Sequence, residues 1–214
     1  MFKKLASEAL GLSDIGVIVS PADYSKVDAD DYLFHEDGEH IFFLIKSRKD
    51  EYCFTNLALI HVDGDSAVSS KRTIRRYEYA SQRVHWAAIE TAGTLDMDVE
   101  LKFAMGDVSF SIDVKKAFID QLKDIYKALI AIGRQQVADA HARENAVRAL
   151  EAMGGMLKLG NVAGEAAVVA HYDAVLQALN SATLHRHHTR DFSAVFERYI
   201  HNGAPPRRPA LPTA

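Results

Sequence analysis

The sequence predicts an α+β protein in which an antiparallel β-sandwich or barrel of about seven short strands precedes a wholly helical region. Between residues 39 and 112, apolar residues alternate with polar ones, which is the pattern of half-buried strands. From residue 114 onward, apolar residues recur every three or four positions, as in amphipathic helices. Of the 214 residues, 48% are hydrophobic and 25% are charged, a globular composition that excludes disorder over the whole chain.

The first predicted element is a short amphipathic helix at the start of the chain. Its apolar residues share one face and are Phe2, Leu5, Ala9 and Leu12. Ser7 and Glu8 interrupt the segment, so it lacks the apolar run of a secretion signal. No apolar run in the chain exceeds five residues, whereas a membrane-spanning helix needs about 20. We therefore expect a protein that does not span a membrane.

Seven strands are predicted next, separated by turn residues. They cover residues 39–47, 51–55, 57–63, 73–79, 84–91, 99–105 and 108–112. Gly106 and Asp107 supply a two-residue turn between the last two strands, which predicts a hairpin. Because no helical pattern separates these strands, a parallel α/β sheet is excluded.

A long amphipathic helix is predicted over residues 114–133, with Asp113 as its N-cap. Its main apolar stripe consists of Phe118, Leu122, Ile125, Leu129 and Ile132. Its other side carries Ile119, Tyr126 and Ile130, so we expect a second surface to pack on the back of this helix.

The rest of the chain has a helical pattern that ends in a proline-rich tail. Further helices are predicted over residues 135–153 and about 162–180, and after Thr189 as an N-cap, where Phe192, Phe196 and Tyr199 share a stripe. About 65 residues in two or three helices form only a small core, so we expect leftover apolar faces to be buried against another copy. The predicted subunit interface comprises Ile119, Tyr126, Ile130, Phe192, Phe196 and Tyr199.

These changes of pattern predict three parts of the chain. A strand-rich module covers residues 1–134, a helical oligomerisation region covers residues 135–202, and a disordered tail covers residues 203–214. Four of the five prolines lie in this tail. The formal net charge is −4, and neither part is basic enough to indicate nucleic-acid binding.

Charge is unevenly placed along the strand-rich module. An acidic stretch contains Asp23, Asp28, Asp30, Asp31, Glu36, Asp37 and Glu39, and a basic stretch contains Lys71, Arg72, Arg75, Arg76 and Arg83. Runs of this kind are typical of a solvated linker and a solvated strand face. For the basic stretch, the alternative interpretation is a surface that binds anionic lipid.

Few residues in the sequence suggest a catalytic or metal-binding site. Cys53 is the single cysteine, which excludes an intrachain disulfide and fits a reducing cytoplasm, and no general base lies near it in the sequence. His185, His187 and His188 surround Arg186 in a predicted helix junction without a carboxylate or thiol at ligand spacing, so we interpret them as polar rather than metal-binding. We expect no catalytic residues, no metal and no cofactor.

Two stretches resemble the signature segments of bacterial pleckstrin-homology (PH) domains. One is Phe54-Thr55-Asn56 leading into Leu59-Ile60 and Asp63, and the other is Glu90-Thr91-Ala92-Gly93 leading into Leu95-Asp96, Asp98 and Glu100-Leu101. The order of seven strands and one long helix is also that of the family. The helical remainder is similar to the region that follows this domain in YvbH-like members, a helical hairpin thought to drive oligomerisation.

The resemblance implies a bent antiparallel sheet capped by a helix, with assembly into higher-order oligomers and no catalytic residues. Eukaryotic relatives often bind phosphoinositide headgroups through basic residues of the first hairpin, where this chain has Lys46, Arg48 and Lys49 followed at once by acidic residues. The candidate ligand-binding residues are these three, Lys46, Arg48 and Lys49, together with four cations of the basic stretch, Lys71, Arg72, Arg75 and Arg76.

Two functions follow as hypotheses. The first is a non-enzymatic, cytoplasmic protein that self-assembles and presents a PH-like surface to a protein or peptide in many copies, gaining affinity through avidity. The second is a peripheral membrane adaptor that binds anionic lipid through the candidate cations.

Overall fold

The computed structural model describes residues 13–64, 72–91, 98–156 and 164–201. Its strands are β1 (Val17–Ile18), β2 (Ile41–Lys46), β3 (Glu51–Thr55), β4 (Ala58–Gly64), β5 (Arg72–Glu78), β6 (Val84–Thr91), β7 (Asp98–Met105) and β8 (Val108–Lys115). The α-helices are α1 (Ile119–Met156), α2 (Glu165–Asn180) and α3 (Ser193–Tyr199). The predicted α+β class and all seven predicted strands are confirmed, and the two-residue β1 is an addition that the sequence pattern did not indicate.

The strands form two antiparallel sheets. One has the order β1-β2-β3-β4-β5 and the other has the order β6-β7-β8. The predicted turn between β7 and β8 is confirmed, and Gly106 takes a φ of 55°, a left-handed conformation that glycine adopts without strain.

Residues 16–18 connect the two sheets. Gly16 donates its N–H to the carbonyl of Asp113 at 2.7 Å in β8, and the next residue, Val17, pairs with Lys46 in β2. A Cβ on Gly16 would lie 2.8 Å from the Ile45 side chain and 3.0 Å from the Asp113 carbonyl oxygen. The chain needs glycine here because the two sheets approach each other so closely.

The main core lies between the two sheets and the first part of α1. Phe103 stacks on Phe110 with ring centroids 4.6 Å apart and contacts Phe54 at 6.0 Å. The predicted stripe of α1 is confirmed as buried at Leu122, Ile125, Leu129 and Ile132.

A second core covers the other face of the five-stranded sheet. Three 3-10 turns, Pro21–Lys26, Asp28–Tyr32 and His35–Asp37, lie on this face. Between turns and sheet are buried Val19, Val27, Ala29, Leu33, Leu44, Cys53, Ile60 and Val62. The acidic stretch is thus a packed layer and not the solvated linker that the sequence suggested.

The helical region differs from the prediction in three respects. Helix α1 runs without interruption through Gly133 and Arg134, where two helices were expected. A single glycine inside a helix costs only about 1 kcal/mol, which does not end it. Helix α1 begins at Ile119, since β8 continues through Asp113 to Lys115. Thr189 is not an N-cap: its N–H donates to Asp139, and the chain enters α3 through Asp191.

The contacts divide the described chain into two compact units. Unit 1 contains the strands, α1 as far as Ile132, and the residues from Asp191 onward; unit 2 contains Gly133–Arg190. The C-terminal segment therefore groups with the strands, although the sequence pattern placed it with the helical region. The predicted N-terminal helix and proline-rich tail lie outside the described residues.

Candidate functional site

The acidic and basic stretches of the sequence meet on one face of the five-stranded sheet. Arg72 and Arg76 are four residues apart on β5, so both point to the same face of the sheet, the one that the 3-10 turns cover. Arg72 lies 3.5 Å from the carboxylate of Asp28, and Arg76 donates to Glu39 at 2.9 Å. The two charge runs are complementary within one chain, which reduces the charge available to an external ligand.

Glu39 is the centre of this contact. Its side chain is fully buried and accepts hydrogen bonds from the Phe34 N–H at 2.8 Å, the Thr55 hydroxyl at 2.5 Å and Arg76. Burial opposes the charge on Arg76, but hydrogen bonds to Glu39 and Glu78 outweigh this and raise its pKa above the usual value. The Arg76 guanidinium also lies 4.7 Å from the centroid of the Phe34 ring. Arg76 therefore fastens the 3-10 layer to the sheet.

Lys46 is also a structural residue. Its ammonium group is paired with the buried carboxylate of Glu51, which accepts further hydrogen bonds from the backbone N–H groups of Asp28 and Ala29. Its side chain is only 9% exposed and already has a counter-ion, so little of the Lys46 charge that the sequence suggested for an anionic ligand faces solvent.

The remaining candidate cations have different surroundings. Arg48 and Lys49 are exposed at the turn between β2 and β3. Arg75 is half exposed and pairs with Asp63 at 3.0 Å. Lys71 lies outside the described residues. The six predicted ligand-binding residues within the described chain therefore divide into buried or paired structural residues and a few exposed ones.

The six residues of the predicted subunit interface fall into two groups, fully buried and half buried. Phe192 and Phe196, which were expected to face another copy, are 1% and 0% exposed and are covered by the core of their own unit 1. Ile119, Tyr126 and Tyr199 are half buried and pack against the same core, and Ile130 is half buried. The second apolar face of α1 thus lies at the margin of its own unit.

The exposed apolar surface lies instead on α2. Its large apolar side chains are Val168, Val169, Tyr172, Val175 and Leu176, which are 38–63% exposed. At about 100° per residue they fall within an arc of about 120° on one side of the helix. The sequence pattern predicted a helix over these residues, but none of them was among the predicted site residues, since exposure cannot be read from helical spacing alone.

The single cysteine of the chain, Cys53, is buried in β3. Burial raises the pKa of the Cys53 thiol well above its usual value, and nearby carboxylates raise it further, so the thiol is held in its unreactive form. A π-helical turn, Ser181–Arg186, follows α2 and contains the first two residues of the histidine tract, His185 and Arg186. No group of three or more potential metal ligands occurs among the described residues.

Among the helices of the described residues, none has a segment long and apolar enough to cross a bilayer.

Known proteins resemble this chain over nearly its whole length. Residues 9–132 match the sequence pattern of the bacterial PH domain family. The uncharacterised protein YvbH of Bacillus subtilis strain 168 is 46% identical over 208 residues, which cover 94% of this chain and all of that protein. A PH-domain-containing protein from Exiguobacterium sibiricum 255-15, known from a crystal structure, is 41% identical, with a TM-score of 0.79 over 87% of this chain and 99% of its own.

The sandwich closed by α1, the sequence match over most of unit 1 and these two relatives agree with one another, and the chain belongs to the bacterial PH domain family.

Proposed function

We propose that this protein is a non-enzymatic, self-assembling binding protein, in which the PH-like unit provides a recognition surface and the helical unit joins copies of the chain. The observation that carries the proposal is the exposed apolar face of α2. In aqueous solution a continuous apolar face of this kind is unfavourable unless another surface covers it.

The charge on α2 supports a second copy of the chain as the occupant of this face. From Ala166 to Asn180 the helix contains no Lys or Arg and a single carboxylate, Asp173. A helix that lies on an anionic membrane normally carries cations beside its apolar face. Two copies of α2, in contrast, can approach each other with little charge repulsion.

The dimensions of α2 are also suitable. Sixteen residues give a helix about 24 Å long, and symmetric pairing needs only one self-complementary patch on each chain. Assembly would place several PH-like units on one particle, so a weak site on each unit gains effective concentration. The recognition partner is then a protein or peptide that meets several copies together.

The test is the mass of the full chain in solution at micromolar concentration, measured by light scattering. Wild-type protein is expected to be oligomeric, and Tyr172→Glu, which places a charge at the centre of the apolar face, is expected to shift the mass towards the monomer. Gln177→Glu is the matched control, because it introduces the same charge about 140° away on the same helix, outside the apolar arc. A monomeric wild-type protein, or equal effects of the two variants, contradicts the proposal.

The placement of the cations supports this function over the membrane adaptor. Lys46 and Arg76 already neutralise buried carboxylates, and Arg72 and Arg75 lie beside Asp28 and Asp63. Cosedimentation with vesicles containing acidic phospholipid is expected to show no salt-sensitive binding. Binding that falls as salt rises would restore the adaptor hypothesis.

A further inference from the structure

The C-terminal segment Asp191–Ile200 occupies an apolar groove on unit 1. Phe196 stacks on Phe42 of β2 with ring centroids 5.1 Å apart, and Phe192 meets Tyr79 edge-on at 5.5 Å. Tyr79 is also 6.0 Å from Phe196 and is itself buried, so it contacts both phenylalanines. Phe192, Phe196 and Ile200 follow one another at intervals of four, which places them on the same side of the segment.

Polar contacts fix the beginning of the segment. Asn56 is buried in the turn between β3 and β4. Its backbone carbonyl accepts a hydrogen bond from the N–H of Phe192 at 2.9 Å. Its side-chain amide donates to the carboxylate of Asp191 at 3.0 Å. The same carboxylate accepts the backbone N–H of Ser193 at 2.7 Å, which starts the helix. Asn56 thus sets the position at which α3 begins.

Three properties distinguish this segment from the rest of the unit. It enters unit 1 from Arg190, after the 58 residues of unit 2, whereas the groove walls belong to the family segment 9–132. Its helix has only seven residues, and a helix this short is not stable in water without a surface to hold it. Outward-facing Ala194, Glu197 and Arg198 complete the pattern of an amphipathic helix in a groove.

We propose that this groove is a helix-binding site of the PH-like unit and that Asp191–Ile200 is its built-in ligand, which leaves and rebinds while the sandwich stays folded. The site recognises a short amphipathic helix with phenylalanines four positions apart and an aspartate before the first. A binding partner that carries such a helix would have to displace the chain's own segment. This site is separate from the apolar face of α2.

The test uses the full-length chain with Phe192→Ala and Phe196→Ala, which weakens the built-in ligand but keeps the groove intact. A fluorescent peptide with the sequence of residues 189–201 is expected to bind this variant, as measured by anisotropy, and to bind wild-type protein much more weakly. A peptide with Phe196→Ala is expected to lose at least about 100-fold in affinity. A peptide with Glu197→Ala is the matched control and is expected to bind like the wild-type peptide.

Hydrogen exchange on the wild-type chain is a second, independent test. The amides of Phe192, Phe196 and Ile200 are expected to exchange at least about tenfold faster than those of Cys53 and its neighbours in β3, because the segment opens without the sheet. Exchange of both groups at one common slow rate would overturn the proposal. So would failure of the peptide to bind a folded double variant. If the double variant does not fold, the exchange rates alone decide.

Discussion

The two units of this chain differ in how they bury their apolar side chains. Every buried hydrophobic residue in the described chain belongs to unit 1, where two clusters cover both faces of the five-stranded sheet. In the described part of unit 2, the one buried side chain is that of Asp139, a polar residue held by Gln135 and the backbone of Thr189.

This difference indicates what each unit needs in order to be stable. Burial of apolar surface is the main favourable contribution to folding, and unit 1 obtains it within a single chain. Unit 2 leaves the apolar face of α2 in contact with water, and packing of an amphipathic face supplies most of the stability of a helix in a protein. The stability of unit 2 should therefore depend on protein concentration, whereas that of unit 1 should not.

The sharpest test of this contrast removes one large aromatic side chain from each unit. Phe103→Ala is expected to lower the free energy of unfolding by about 3–5 kcal/mol, because the ring is fully buried against Phe54 and Phe110. Tyr172→Ala is expected to change it by less than about 0.5 kcal/mol in dilute protein, where the exposed ring has no partner copy. Urea unfolding followed by circular dichroism measures both.

Protein concentration is the control for this pair of variants. Raising the protein concentration should increase the effect of Tyr172→Ala and leave that of Phe103→Ala unchanged. Similar losses of stability at low concentration would mean that Tyr172 packs within its own chain, and the contrast between the units would fail.

A second test compares two ion pairs of unit 1. Removing the carboxylate with Glu51→Ala leaves the ammonium group of Lys46 buried without a counter-ion and is expected to cost about 3–5 kcal/mol. Arg75→Ala breaks the half-exposed pair with Asp63 and is expected to cost about 0–1 kcal/mol. Thermal or urea unfolding of the two variants measures the difference. A small effect of Glu51→Ala would show that Lys46 reaches solvent and could serve as a ligand-binding residue after all.

The sequence was sufficient for the strands because their alternation is local. Each strand pattern depends on neighbouring residues, and the turn at Gly106 follows from a conformation that glycine favours. The main stripe of α1 was predictable for the same reason, since Leu122, Ile125 and Leu129 repeat at helical spacing.

The candidate site was less predictable because it depends on contacts between distant residues. Nothing in the local sequence around Arg76 indicates that Glu39, 37 positions earlier, will be its partner. The same holds for Asn56 and Asp191, which are 135 positions apart. An aromatic stripe such as Phe192 and Phe196 looks the same in sequence whether its own chain or another copy covers it.

A third test concerns the point where the chain returns to unit 1. Burial disfavours the charge on Asp191, but hydrogen bonds from Ser193 and Asn56 outweigh this and lower its pKa below the usual value for aspartate. A group whose pKa is lower in the folded state stabilises that state above its unfolded pKa of about 3.9. This contribution is lost as the pH falls through the lower, folded value.

Asp191→Asn is therefore expected to lower stability by about 1 kcal/mol at neutral pH, the usual contribution of a hydrogen bond of this kind. The difference between variant and wild type should vanish in acid, below the folded-state pKa of Asp191. The measurement is urea unfolding at a series of pH values, together with hydrogen exchange at Phe192. A difference that persists unchanged in strong acid would mean that the carboxylate does not hold the segment through its charge, and that the apolar contacts of Phe192 and Phe196 alone retain it in the groove.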